Sequence, residues 1–579
     1  MHAPESRRSA RGQSGHVILP SRWSMRWRNP SQPGWHPQAV SAVLCLWMAS
    51  VGNLALWQAL HQLGSLQGTA GLRLGLGLGL GIAALLGTLV SLLTLLAPRW
   101  LLKPVLTLLL LMAAFGSYFM QSYGIVIDAT MLTNALQTDV REVTDLLHWR
   151  LALTVFGLAV VPAWWLWRLQ VRYPQGFKAR LKNALFLIAF IAVSVGATGI
   201  IFQNLAGLMR NHTQLRYLIN PLNSVYAMGR LAKPSGNHAG PLQPLGEDAK
   251  LAAANSPSAR PPLVVLVLGE TARSGNFGLN GYTRNTTPLL QAQARNGLMV
   301  SYTNAWSCGT STAASVPCMF SPLGREAYGA RDTDTEGLLD VLQHAGLAVL
   351  WVDNQAGCKG VCDRVPSAST TGVPVPGFCD GNECFDAVML HGLEQRIAAL
   401  PAAARAKGVV VVLHQMGGHG PAYSHRSPAE FKKFGPECLS SALQECSQEN
   451  ITNAYDNTIV YTDFLLNSVV QWLQTQSGQW DTAMQYVADH GESLGENNIY
   501  LHGLPYAVAP DVQKHVPWIT WLSPAFTQRS GITPACLQHN AAARISHDNF
   551  FHSVLGLLGV QTAVYRPALD LYRGCAAGA

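Results

Sequence analysis

Cysteine is nearly absent from the first half of the chain: of eleven in 579 residues, only Cys45 lies before residue 308. The ten that follow never form the double C-x-x-C pattern, which excludes a structural zinc site of that kind. A concentrated basic face is missing too. The formal charge is +8, but much of the excess sits in the N-terminal tail and in short loops between apolar runs, so it belongs to topology, and no nucleic-acid partner is expected. A cleavable signal peptide is also lacking. The first apolar run follows some 38 polar, Arg-rich residues without a small-residue cleavage site, so it is expected to stay as an anchor.

What is present divides into two halves. Five apolar runs, 40–60, 74–97, 105–123, 151–169 and 184–202, are each long enough to cross a bilayer, which takes about 20 residues. Arg7, Arg8, Arg11, Arg22, Arg26 and Arg28 precede the first run. Arg99 and Lys103 lie between the second and third, and Arg168, Arg172, Lys178, Arg180 and Lys182 between the fourth and fifth. These are the cytoplasmic sides, which puts everything after the fifth crossing outside. The outer loop 124–148 carries Asp128, Asp139, Glu142 and Asp145 and reads either as a surface helix or as an ordinary connection. The glycine-rich run before Ile82 has small-xxx-small spacing suited to helix packing. The expected division is a basic tail at 1–38, five spans at 39–203, an amphipathic segment and linker at 204–260, and a globular α/β domain at 261–579.

Eight of the later cysteines fall in close pairs, Cys308 with Cys318, Cys358 with Cys362, Cys379 with Cys384, and Cys438 with Cys446. Such pairs are thiolate metal sites in a reducing compartment or disulfides in an oxidising one, and the missing zinc pattern favours disulfides. That independently places the second half outside the cytoplasm. Cys536 and Cys575 are a candidate fifth pair.

The second half alternates apolar strands with polar loops, and several strands end in chemistry-bearing residues. P-L-V-V-L-V-L-G-E ends at Glu270, L-A-V-L-W-V-D-N at Asp353-Asn354, G-V-V-V-V-L-H-Q-M-G-G-H at His414 and His419, and M-Q-Y-V-A-D-H-G-E at Asp489-His490. Continuous apolar strands are those of a sheet buried on both faces, and ligands of open α/β sheets gather at their carboxyl ends. A single such residue is often only a helix cap. The cluster, together with His502, points to a metal. Between Cys308 and Cys318 lies a hydroxyl-rich loop with Thr310, Ser311, Thr312 and Ser315 as candidate nucleophiles. A neutral hydroxyl needs a base or a metal for activation. Two carboxylates, an imidazole and a hydroxyl suit Zn²⁺ best, with Mn²⁺ an alternative and Mg²⁺ less suited to histidine.

Several stretches together resemble a known family: G-E-T-A-R from Gly269, N-G-Y-T-R-N-T-T-P from Asn280, S-C-G-T-S-T-A-A-S-V-P-C-M-F-S from Ser307, D-N-Q-A-G-C-K-G-V-C-D from Asp353, H-Q-M-G-G-H-G-P-A-Y from His414 and Y-V-A-D-H-G-E-S-L-G-E-N from Tyr486. They are similar to the lipid A phosphoethanolamine transferases, which include the mobilised colistin resistance enzymes. The resemblance implies an α/β/α sandwich like that of alkaline phosphatases and sulfatases, behind a five-helix transmembrane domain. It implies Thr312 as nucleophile, one tightly bound zinc on Glu270, Thr312, Asp489 and His490, and His419 and His502 holding the phosphoryl group or a second zinc. Asn354 and Lys359 match substrate-contacting positions. The implied donor is phosphatidylethanolamine, the acceptor a lipid A phosphate, and the setting the bacterial inner membrane with the catalytic half in the periplasm, as a monomer. Rival readings are transfer to another outer-membrane glycan, a hydrolase of the same fold, and a glycerol-phosphate transferase. A membrane scaffold with a degenerate domain would have lost ligands.

Overall fold

A computed structural model describes residues 34–137, 140–173, 175–232, 241–254, 259–371, 375–379 and 384–576. The basic tail before residue 34, parts of the 233–260 linker, and the side chains of Asp139 and Glu142 lie outside the described residues.

Among the described residues, five helices are long and apolar enough to cross a membrane: α1 (Pro37–Gln62), α2 (Gly68–Leu96), α3 (Arg99–Tyr123), α6 (Trp149–Arg168) and α7 (Phe177–Asn211). Each covers most of one of the five apolar runs and starts a few residues earlier, because flanking polar residues continue the helical hydrogen bonding. The glycine-rich run lies on α2, where α7 packs closely. A Cβ on Gly77 would sit 2.5 Å from Ile201 Cγ2, and one on Gly87 2.6 Å from the Phe190 ring, so only glycine permits this approach. Between the third and fourth spans, α4 (Ala129–Gln137) and α5 (Val140–Leu146) form an outer excursion. The loop is therefore helical, and α4 packs against the globular half. After the fifth span, α8 (Leu222–Ala232) follows a short 3-10 turn.

The second half is built on an eight-stranded sheet. Its strands in chain order are β1 (Pro262–Gly269), β2 (Met299–Trp306), β3 (Ala348–Asp353), β4 (Ser367–Ser369), β5 (Val409–His414), β6 (Asp481–Ala488), β7 (His515–Leu522) and β8 (Ile545–Ser546). The spatial order is β8-β2-β7-β6-β1-β5-β3-β4. The run from β6 to β4 is parallel, whereas β7 pairs antiparallel with both β6 and β2. The valine-rich strands β1, β3, β5 and β6 are buried along their whole length, as parallel strands covered on both faces must be. Helices α9 (Pro288–Arg295), α10 (Thr312–Met319) and α11 (Gln448–Thr475) matter most for the site. Register then decides the chemistry: Gly269 pairs with Ala488 and Leu268 with His414, so the residues that follow these strands emerge side by side.

All four expected disulfides are formed, joining Cys308 to Cys318, Cys358 to Cys362, Cys379 to Cys384 and Cys438 to Cys446. Cys536 is joined to Cys575 as well. Cys45, in α1, is free.

Candidate metal centre and nucleophile

Glu270 follows β1, Asp489 and His490 follow β6, and Thr312 opens α10; all four are buried. The Thr312 hydroxyl donates to Glu270 Oε2 at 3.0 Å and lies 3.4 Å from His490 Nε2. His490 Nε2 is 3.3 Å from Glu270 Oε1 and 3.4 Å from Asp489 Oδ2. The ligand-type atoms of Glu270, Asp489 and His490 lie within 4.8 Å of one another. Glu270 Oε1 and Asp489 Oδ2 are buried and accept no hydrogen bond, although a buried carboxylate oxygen is costly unless satisfied. Burial and the Glu270 charge push the Asp489 carboxyl up to about 7, while the two carboxylates push His490 up to about 10. Two carboxylates and an imidazole brought together in a dry pocket fit a divalent cation, which would take the place of the protons these raised values hold there. His490 Nδ1 lies 2.9 Å from the Gly491 carbonyl, which orients the ring so that Nε2 faces the carboxylates. Glycine is required at 491, because a Cβ would fall 2.0 Å from the Val512 carbonyl oxygen.

The four candidate hydroxyls separate by their partners. Thr310 Oγ1 donates to the Leu504 carbonyl at 2.6 Å, and Ser315 Oγ accepts from Gly309 N at 2.8 Å. Ser311 Oγ has no hydrogen-bond partner. Only the Thr312 hydroxyl joins the cluster. It also stands at the first turn of α10, where unpaired backbone N–H groups favour an anion such as a phosphoryl group.

A second group adjoins the first. The His502 and His490 ring centroids are 4.3 Å apart, and those of His419 and His502 5.3 Å. His502 Nδ1 is 2.8 Å from Glu492 Oε2, and Tyr423 donates to Glu492 Oε1 at 2.6 Å. Burial holds His502 down at about 3 and raises Glu492 to about 8. Glu492 had a visible signal, the acid of D-H-G-E, yet it received no role from the sequence.

Several sequence-assigned positions lie differently. Asn354 spends its amide inside the fold: Nδ2 donates to Asp386 and the Cys384 carbonyl, and Oδ1 accepts from Thr370. Its neighbour Gln355 is the one that reaches the cluster, donating to Glu270 Oε2 at 3.3 Å. The alternation of side chains after a strand explains the exchange, since adjacent residues face opposite ways. Lys359 donates to the Gln137 carbonyl, at the end of α4, at 3.2 Å. Cys446 pairs as expected but serves the loop ahead of α11 and not the metal cluster. It is half-buried, its amide donates to the Leu443 carbonyl at 3.0 Å, and its sulfur closes the turn on the buried Cys438. Only Ser447 separates it from the head of α11, so the bond braces that helix's entry. Asp353 and His414 pair with each other at 3.1 Å beneath the site. His547 was not legible at all; its Nδ1 accepts from Cys308 N and its Nε2 reaches the Ala488 carbonyl, tying the nucleophile loop to the end of β6.

Beside His419 and His502 opens a cavity of about 140 Å³, lined also by Phe119 of α3, Ile125, Met131 of α4 and Leu146 of α5. One wall is imidazole; most of the rest is hydrocarbon from the membrane half, with Asn134 and, from the globular half, Leu501.

The profile of the Sulfatase family matches residues 262–560, and that of Phosphoethanolamine transferase EptA/EptB matches residues 85–235. The phosphoethanolamine transferase EptA of Salmonella typhimurium is 40% identical over 500 residues, covering 84% of this chain and 88% of its own. The phosphatidylethanolamine transferase Mcr-1 of Escherichia coli is 38% identical over 544 residues, covering 91% and 96%. Among solved structures, the integral membrane lipooligosaccharide phosphoethanolamine transferase A of Neisseria meningitidis superposes with a TM-score of 0.87 at 33% identity, covering 94% of this chain and 100% of that one.

Proposed function

Because the chain belongs to the phosphoethanolamine transferase EptA/EptB family, we propose that it moves phosphoethanolamine from phosphatidylethanolamine to a phosphate of lipid A through a covalent intermediate on Thr312. The observation that carries this is the Thr312 hydroxyl, alone of its loop, set against Glu270 and His490 at the head of a helix. Glu270, Thr312, Asp489 and His490 would hold one zinc ion; His419 and His502 would hold phosphoryl oxygens or a second ion. Zinc bound there supplies a lowered hydroxyl pKa and positive charge for phosphoryl oxygens.

In the first step Thr312 Oγ1 forms a bond to phosphorus, the phosphorus–oxygen bond to diacylglycerol breaks, and the hydroxyl proton ends on the leaving oxygen. The Thr312 proton starts in a hydrogen bond to Glu270 Oε2. The largely apolar cavity beside His419 and His502 suits the glycerol end of a lipid. In the second step an acceptor phosphate oxygen attacks phosphorus, the phosphorus–Oγ1 bond breaks, and Thr312 Oγ1 takes up the proton that the acceptor phosphate gives up. The product carries a new ammonium, which offsets lipid A charge and weakens binding of cationic peptides such as polymyxins.

The catalytic half, from about residue 261, is placed in the periplasm with five spans in the bacterial inner membrane. The paired cysteines and the positive loops support that placement. Lipid A from a Gram-negative host expressing the protein should gain phosphoethanolamine by mass spectrometry, and Thr312→Ala should abolish the gain. An unchanged lipid A profile with the wild-type protein, or full modification by T312A, would refute the proposal.

A further inference from the structure

His419 sits in the segment Gly417-Gly418-His419-Gly420, where three glycines leave the backbone little intrinsic preference. Its amide makes one turn-type bond, to the Met416 carbonyl at 3.2 Å. Its carbonyl is held from outside: Arg426 Nε donates to it at 2.8 Å. The Arg426 side chain is only 2% exposed, and a buried guanidinium needs a counterion with good geometry. That counterion comes from the membrane half. A terminal nitrogen of Arg426 lies 2.7 Å from Oδ2 of Asp145, a residue of α5 separated by 281 positions. Asp145 is itself 20% exposed, and its neighbour Leu146 lines the cavity shared with His419 and His502.

Other contacts across the same seam are weaker. Arg150 and Glu445 form an ion pair with side chains 43% and 31% exposed, the kind that contributes little in water. Tyr123 donates to the Ser441 carbonyl at 3.3 Å. Neither touches the catalytic edge, and the bond from Lys359 to the Gln137 carbonyl, at 3.2 Å, is exposed.

We propose that Asp145 and Arg426 are positioning residues: docking of the α5 excursion fixes the Arg426 guanidinium, which fixes the His419 backbone, so the membrane half sets the place of a phosphoryl-holding imidazole. This rests on the role given to His419 above. Neither residue touches substrate; each acts through His419. Breaking the relay therefore costs turnover by misplacing a group, an effect on the order of ten- to a hundredfold for a shift near 1 Å.

The test uses the full-length protein in detergent with a soluble chromogenic phosphoethanolamine ester. Asp145→Asn keeps the shape and removes the charge; Asp145→Glu keeps the charge; Arg426→Lys keeps a cation that has no planar fork to span both partners. Expected for D145N are a kcat lowered at least tenfold with KM little changed, zinc content and Tm near wild type, and faster amide exchange across residues 417–427. D145E should recover most of the loss, and R426K should resemble D145N. Wild-type kcat in D145N, unchanged exchange, D145E as impaired as D145N, or a Tm that falls in step with kcat in both D145N and R426K would overturn the relay. Failure of the wild type to form a Thr312 adduct would instead sink the functional reading, and the exchange measurement would still decide the relay.

Discussion

The Thr312 hydroxyl and the Thr310 hydroxyl are two residues apart and chemically identical, and only their partners distinguish them. Composition and order therefore identified the loop, while choosing among its hydroxyls needed either the family resemblance or the coordinates. The same limit applies to Asn354 and Gln355, adjacent amides of which one is absorbed by Asp386 and Thr370 and the other faces Glu270. Strand-end residues were legible because burial on both faces writes an apolar run that stops at the catalytic edge. A supporting residue such as Glu492 carries no such mark. Its oxygens are divided between Tyr423 and His502, which fixes the imidazole and leaves its other nitrogen toward His490 and His419. Glu492→Gln should consequently lower kcat by about ten- to a hundredfold, the usual effect of removing the partner of a ligand-type histidine, with Tm little changed. A variant with wild-type kcat would show that Glu492 only fills space.

At the scale of elements, α11 explains a motif that had no role in the sequence. Ser447, next to the Cys438–Cys446 bond, caps it through a bond from Asn450 N. Its buried side then presents Asp456 and Asp463, seven residues and therefore two turns apart on one face. Asp456 accepts from Asn276, Tyr282 and Arg284, and Asp463 accepts from the Leu289 and Leu290 amides at the head of α9. The N-G-Y-T-R-N-T-T-P stretch is thus the strap that seats the loops following β1, and it is structural. Asp463 has a measurable consequence. Burial raises its carboxyl to about 7, outweighing the two backbone donors. Below its unfolded value near 4 it is protonated in both states. Between there and about 7 the folded state holds the proton more tightly, so stability falls as pH rises through that window. Asp463→Asn removes the titration and keeps an acceptor. Melting temperatures of both proteins should therefore show D463N gaining on wild type between pH 5 and pH 7.5, and a difference independent of pH would contradict the assignment.

For the whole molecule, five spans, an α/β half and the disulfide pairs could be read directly, because hydrophobic length and cysteine spacing are local quantities. The seam between the halves could not. Asp145 and Arg426 meet across 281 residues, and Lys359 meets Gln137 across 222, with nothing in either neighbourhood to announce the partner. The loop at 124–148 shows the same limit: its acidic residues left a surface helix and an ordinary connection both open, and what matters is that it packs against the globular half and walls one side of the cavity beside His419 and His502. On the proposed function, in which both substrates come from one leaflet, this arrangement would hold the catalytic edge near the lipid headgroups. The central claim is covalent transfer through Thr312, and peptide mapping of the full-length protein after incubation with phosphatidylethanolamine alone tests it most directly. A phosphoethanolamine adduct on Thr312, absent from Thr312→Ala, is the predicted result; an adduct on Thr310 or Ser311, or diacylglycerol release by T312A at the wild-type rate, would contradict it.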